Sequence, residues 1–348
     1  MNRTIKRIVV GAGALLIAAS LTGCRYSGYI DGDARTASTN GAAYLKSQQL
    51  TDGSFEVAGF PGFETPDAVL AIADSAQAQP GWSAAQARAA IDATTKGGHS
   101  ALHALDDFAD SGIDAGQAAK IALLVARPLG ISSTAFDPDG DGAVNLVAKI
   151  DAGHQVSGAY GAFNATLYAA IAKRALGGVP ADTVAYIQVA QEAGGGWNFA
   201  GDPTAVQAQA DIDTTALAIQ ALAAAQVAGN DPDLRQGVAY LATTHQANGS
   251  WQSFGADDPN STAVAMIAIT AAGFDPTVKC WRDVTAPALS GGAYTSPANW
   301  LRADQLPSGQ FASPNDQFGV NTFATSQAVQ ALRRGWLPVE FVPVQTCP

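Results

Sequence analysis

Two acidic constellations contain the residue types that could do chemistry in this chain. Asp211 and Asp213 stand at the head of the apolar stretch Thr215 to Leu222. At a helix start, a carboxylate such as that of Asp213 can accept the free amides of the first turn and sit in the favourable field of the helix dipole. At the mouth of an apolar cavity, burial and the neighbouring charge of Asp211 would instead raise its pKa and make it a candidate general acid. Asp137, Asp139 and Asp141 alternate ahead of Gly142 and resemble the start of a calcium loop, in which oxygen ligands wrap a hard cation. The twelfth place of that loop is Ala148, not a bidentate carboxylate, and a solvated turn before a helix is the other reading. His99 and His103 are four apart, a spacing also used by zinc ligands, but no Glu follows His99 and no third ligand is apparent. They read as surface or inter-helix residues.

The elements that must position these groups repeat along the chain. Gln or His is followed four residues later by Gly and six later by an aromatic in five places: Gln49, Gly53, Phe55; His154, Gly158, Tyr160; Gln191, Gly195, Trp197; His245, Gly249, Trp251; and Gln305, Gly309, Phe311. The Gly permits a sharp turn after one helix, and the aromatic folds back as a plug between hairpins. Gln can bond the turn backbone, and His can keep one such bond. After each loop a polar residue is placed to cap the second helix: Thr65 before Pro66, Asn164, Asp213, Asn260 and Asn321. A sixth unit without the signature fits between the first two copies, with helices expected over Ala101 to Phe108 and Ala118 to Ala126. The repeat averages roughly fifty residues, within the range of helical repeat architectures, and six such hairpins can stack openly or close into a ring.

The Gln-x-x-x-Gly-x-Trp or Phe motif resembles the repeat of squalene and oxidosqualene cyclases and, more loosely, of protein prenyltransferase β subunits. That resemblance implies an all-α fold, an (α/α)6 toroid of six helical hairpins, over residues 41 to 338. Asp211 to Ala216 resembles the Asp-x-Asp-Asp-Thr-Ala motif of class II terpene cyclases, which implies Asp213 as the proton donor with Asp211 beside it; Thr214 replaces the following Asp. Asn321 to Leu332 and Trp336, Leu337, Pro338 are similar to exported actinobacterial toroid proteins that carry these repeats. A cyclase interior would need aromatic faces to stabilise carbocations. The loop residues Phe63, Phe199, Phe254 and Phe318 are the candidates to rim a ligand-binding cavity, surface packing being their other reading. Prenyl transfer is disfavoured, because Cys280 occupies no Asp-x-Cys zinc position. Beyond calcium, no cofactor is expected.

The start of the chain points to export. Arg3, Lys6 and Arg7 precede the apolar run Ile8 to Ala19, and Leu21, Thr22, Gly23, Cys24 resemble a lipoprotein cleavage box. The run is too short for a bilayer core of about 30 Å, so residues 1–23 read as a lipoprotein signal peptide. Cys24 then becomes the lipidated residue, residues 24–40 a tether, and 339–348 a C-terminal tail. With Cys24 used as anchor, Cys280 and Cys347 remain as one candidate disulfide in an oxidising compartment. Loss of Arg3, Lys6 and Arg7 takes the formal charge from −11 to −14. So acidic a body disfavours nucleic acid and anionic lipid as electrostatic partners. The expectation is an extracytoplasmic, cell-surface protein held to the membrane through its anchor. It would bind an apolar or amphipathic ligand or serve as a scaffold, the alternative being a terpene cyclase acting through Asp213.

Overall fold

The computed structural model describes residues 32–333, apart from 58, 79–81, 205–208 and 230. In chain order the elements begin with α1 (Gly32–Gln48), α2 (Thr65–Ser75) and α3 (Ala84–Asp92). The short hairpin β1 (Thr95–Lys96) and β2 (His99–Ser100) leads to α4 (Ala101–Asp110) and α5 (Ala115–Ile121), which runs on as a π-helical turn over Ala122–Ala126. There follow α6 (Leu146–Ala152), α7 (Phe163–Lys173), α8 (Ala181–Val189), α9 (Ile212–Ala224) and α10 (Pro232–Thr244). A second hairpin, β3 (Gln252–Ser253) with β4 (Ala256–Asp257), precedes α11 (Pro259–Ala271), α12 (Cys280–Thr285), α13 (Pro297–Asp304) and α14 (Thr322–Arg333).

Six of these helices form an inner ring. α2 packs on the π-helical turn that continues α5, then α5 on α7, α7 on α9, α9 on α11, α11 on α14, and α14 back on α2. The fold is therefore an all-α toroid. The other helices lie outside, as α1 does against α14 and α2, and α10 against α9. The inner helices are built from small residues: Ala216, Ala218 and Ala221 of α9 and Ala263, Ala265 and Ala268 of α11 are fully buried, which lets neighbouring backbones approach closely.

The repeat residues act as their types require. Gly53, Gly158, Gly195, Gly249 and Gly309 all have φ near +90°, a conformation open to glycine. At Gly53 a Cβ would lie 2.2 Å from the Ser100 carbonyl oxygen, so the next hairpin also needs the bare backbone. Gln49, Gln191 and Gln305 each donate through Nε2 to the carbonyl of their own turn glycine, at 3.0, 2.7 and 2.9 Å. Each donates again to a backbone carbonyl of a neighbouring hairpin, Thr94, Asp233 and Ala37 respectively. The Ala37 bond joins the last repeat to the first helix and closes the ring. The plugs Phe55, Trp197, Trp251 and Phe311 are buried, and Trp197 and Trp251 donate their indole N–H to the Ile187 and Leu241 carbonyls.

A threonine on the following inner helix locks every plug. The backbone N–H of Phe55, Tyr160, Trp197, Trp251 and Phe311 donates to Oγ1 of Thr65, Thr166, Thr215, Thr262 and Thr325, all at 2.9 to 3.0 Å. The loop that returns from the plug is thus tied to the helix it enters, and a buried amide is satisfied.

The expected tether and four of the expected helix caps are corrected here. Residues 32–40, expected in the tether, already belong to α1. The N-cap of α9 is Asp211, whose Oδ1 accepts the Thr214 N–H at 2.7 Å, and that of α11 is Asp258; Asp213 and Asn260 sit two residues further on, inside the first turn. Asn164 likewise lies inside α7, and Thr65 opens α2 after Glu64. The leader, Cys24, Cys347 and the tail 339–348 lie outside the described residues, while Cys280 opens α12. No helix of the described residues is long and apolar enough to cross a membrane.

Candidate functional site

The inner helices begin at one end of the toroid, and there the starts of α2, α9, α11 and α14 with the loops before them border a cavity of about 510 Å³. Glu64, the N-cap of α2, Asp213 of α9, Asp258, the N-cap of α11, with Asn260 inside it, and Ser313, Asn315, Asp316 and Asn321 before α14 supply its polar wall. Phe60, Phe63, Phe254, Phe318 and Phe323 supply the apolar part. Among the described residues, no Lys or Arg lines the space.

Asp213 is held in place by its sister repeat, since Asn260 Nδ2 donates to its Oδ2 at 3.1 Å while its buried Oδ1 has no hydrogen-bond partner. Burial, and then the negative charges of Asp211 and Asp258, push its pKa up to about 7. Glu64 behaves alike. Burial raises it to about 7, assisted by Glu56, Asp316 and Asp67, although Thr322 Oγ1 donates to its Oε2. Two carboxyl groups that titrate near neutrality therefore share one cavity. Asp211, in contrast, is spent on its cap and does not line the space, although burial raises its pKa as well.

The rim is aromatic and open. Phe60 and Phe318 meet edge to face with centroids 5.8 Å apart, and Phe63 lies 4.9 Å from Phe323. Phe254 stands almost wholly in solvent, 97% exposed, at the tip of the β3–β4 hairpin. Its φ is +49° and that of Gly255 is +81°, the pattern of a two-residue turn that favours Asn-Gly. A phenylalanine there stores roughly 1 to 2 kcal/mol of backbone strain. Of the aromatics expected at a cavity, Phe63, Phe254 and Phe318 line it; Phe199 lies elsewhere, exposed on the surface after the Trp197 plug.

Below the cavity the toroid is almost filled. Lys120 of α5 sits buried with Nζ 2.7 Å from Asp67 Oδ2, and it also donates to the Phe63 carbonyl. The ammonium lies 4.7, 5.4 and 5.2 Å from the ring centroids of Phe63, Tyr168 and Phe323. Burial, the largest single influence, would lower its pKa, but Asp67, Tyr168 and Glu56 together raise it above the ordinary lysine value and the group stays charged. Deeper still, only about 40 Å³ remains between Asp67, Tyr168, Gln220 and Gln330. A separate depression of about 420 Å³ lies at the opposite ends of α5 and α7, around Arg127 and Leu176.

The calcium candidates come together with partners the alternating pattern did not indicate. Asp137, Asp139 and Asp141 each bring a carboxylate oxygen to within 4.8 Å of one another and of Asp106 on α4. His103 is drawn to the same loop, with Nδ1 2.7 Å from Asp139 Oδ2, and its ring stacks on His99 at 4.4 Å. The following helix starts at Leu146, capped by Asn145.

Glu64, Phe323, Lys120 and the threonine locks escaped sequence reasoning. Glu64 directly precedes the Thr65-Pro66 helix start, and that place beside a helix mouth was the available signal.

No protein-family model matches this chain, and no curated protein matches it in sequence. Solved structures do. The type II terpene cyclase MstE from Scytonema superposes with a TM-score of 0.59 at 17% identity, covering 87% of this chain and 98% of that one. The unsaturated glucuronyl hydrolase of Bacillus sp. GL1 gives 0.56 at 11% identity, with 89% and 99% covered. An unsaturated glucuronyl hydrolase specific for heparin gives 0.55 at 11% identity. At such identities the likeness is one of fold, the α/α toroid; the squalene-cyclase repeat family finds no matching model.

Proposed function

We propose that this chain is an exported, lipid-anchored toroid that binds an amphipathic ligand in the cavity at the start of its inner helices. The observation that carries the reading is the joining, in one space, of an open aromatic rim with the carboxyl groups of Glu64, Asp213, Asp258 and Asp316 and, among the described residues, no Lys or Arg in the wall. Aromatic faces take the apolar part of a ligand; Glu64, Asp213 and the side-chain amides take a neutral or cationic polar part. An anionic head group would meet the like charge of the carboxylates with no Lys or Arg among the lining residues to offset it. Cys24 supplies the membrane anchor, and a Cys280–Cys347 disulfide ties the tail to α12; both are parts of the proposal.

The terpene-cyclase alternative has one observation in its favour, an Asp213 that holds its proton near neutral pH. Two others weigh against it. The aromatic faces nearest the toroid axis already surround a resident cation, Lys120, where a carbocation would need them. The space beneath is about 40 Å³, room for no more than a few waters, so a long isoprenoid would have to stay in the mouth.

The test is untargeted mass spectrometry on the full chain incubated with a cell-envelope lipid extract, beside its Asp213→Asn and Phe254→Ala variants. Retention of an unmodified amphipathic compound, weakened by Phe254→Ala, supports binding. A new product that disappears in Asp213→Asn establishes the cyclase instead.

A further inference from the structure

The loop between Phe136 and Val144 is closed at its base by two backbone hydrogen bonds, Phe136 N–H to the Val144 carbonyl and the reverse, each 2.9 Å. Within it Asp137 Oδ1 accepts the Gly140 and Gly142 amides, and Gly140, at φ +89°, reverses the chain. These bonds hold the three loop carboxylates on one side, but they give no reason for a fourth acid to be buried against them.

That fourth acid is Asp106. It is 1% exposed on α4, its Oδ2 accepts the Asp139 N–H at 3.2 Å, and its Oδ1 is buried with no hydrogen-bond partner. An orphaned carboxylate oxygen beside three other carboxylates is costly unless a proton or a cation meets it. His103 does not fill that need, because it engages Asp139 and Asp107 from the exposed side. The chemistry lacking is that of a hard cation with an all-oxygen shell.

We propose that Asp106, Asp137, Asp139 and Asp141 form a calcium site in which the buried Asp106 of α4 supplies the ligand that the loop itself lacks at Ala148. The ion bridges α4 to the loop ahead of α6, so it fastens the hairpin that has no glycine and aromatic signature to the hairpin that follows it. Carbonyl oxygens of the loop and waters would complete the six to eight ligands calcium takes. The site is distinct from the aromatic cavity and does not depend on the function assigned to it.

The experiment is calcium titration of the full chain by calorimetry, with thermal unfolding followed in calcium, in magnesium and in chelator. Calcium is expected to bind once per chain and raise the Tm, magnesium to do so far less. Asp106→Asn and Asp139→Asn should each weaken calcium affinity by about tenfold or more, about 1.4 kcal/mol, while Asp107→Asn leaves it unchanged. Should Asp106→Asn fold poorly, Asp137→Asn and Asp141→Asn on the exposed loop give the same reading. No heat and no Tm shift in the wild-type chain, equal response to magnesium, or full calcium affinity in the Asp106 variant would each overturn the proposal.

Discussion

Asn260 donates its side-chain amide to Asp213 across 3.1 Å, so the same position in two successive inner helices carries a donor in one and an acid in the other. The acid is the group whose charge the fold resists. Its folded pKa of about 7, and that of Glu64, stand well above the 3.8 and 4.5 of the exposed groups. The folded state thus binds more protons than the unfolded chain in that interval, and stability falls as pH rises from about 4 to about 7, then levels. Urea unfolding across that range should show the decline, and Asp213→Asn and Glu64→Gln should each flatten part of it. A slope unchanged in both variants would sink this assignment. A cationic ligand would bind more tightly as pH rises through 7.

Phe254 can be tested as a residue kept for contact at the expense of stability. Phe254→Asn places the preferred residue in the left-handed position of the turn, so it is expected to stabilise the chain by about 1 kcal/mol. The same change should weaken ligand retention. A destabilised variant with unaltered binding would show the ring to be packing material.

The Thr215 lock on Trp197 predicts a cost without any change of shape. Thr215→Val leaves the buried Trp197 amide unpaired, a loss of about 1 to 3 kcal/mol by denaturant unfolding. Thr215→Ser, which keeps the oxygen, should recover most of it.

Lys120 and Asp67 form a pair that is worse broken than removed. Lys120→Met should cost about 3 to 5 kcal/mol by leaving Asp67 charged in the interior, whereas Lys120→Met with Asp67→Leu should cost less than the single change. A double variant no more stable than the single would contradict this account.

How far the sequence could be read depended on whether a signal was local. Gln191 bonds the carbonyl of its own Gly195 and Gly195 turns the chain there, so type and spacing disclose their role, and the toroid follows. The cap of α9 falls two residues before the expected Asp213 because Asp211-Ile-Asp213 offers two acids, and only the backbone decides that the first caps while the second faces the cavity. Thr215 and Thr262 look like ordinary small residues of an inner helix, since their partners lie across a loop. Asp106 falls in the amphipathic run of α4, where an acid is expected on the solvent side. Phe199 follows its plug as Phe254 follows Trp251, yet only Phe254 is carried to the mouth by a hairpin.

The bond from Gln305 to Ala37 joins residues 268 apart in sequence, and Gly309 presses against the Asn40 carbonyl, where an added Cβ would come within 2.3 Å. No earlier stretch of chain can supply that seam, so α1 must wait with one flank bare until α13 and the turn after it have been made. A chain stalled before Gln305 would present two unpaired helical faces, much like a split washer. Rejoining the chain so that it starts at another hairpin would move that gap without altering the finished ring. Gly309→Ala, which props the seam open, should cost more than about 1 kcal/mol and make α1 the first helix to lose protection in hydrogen exchange.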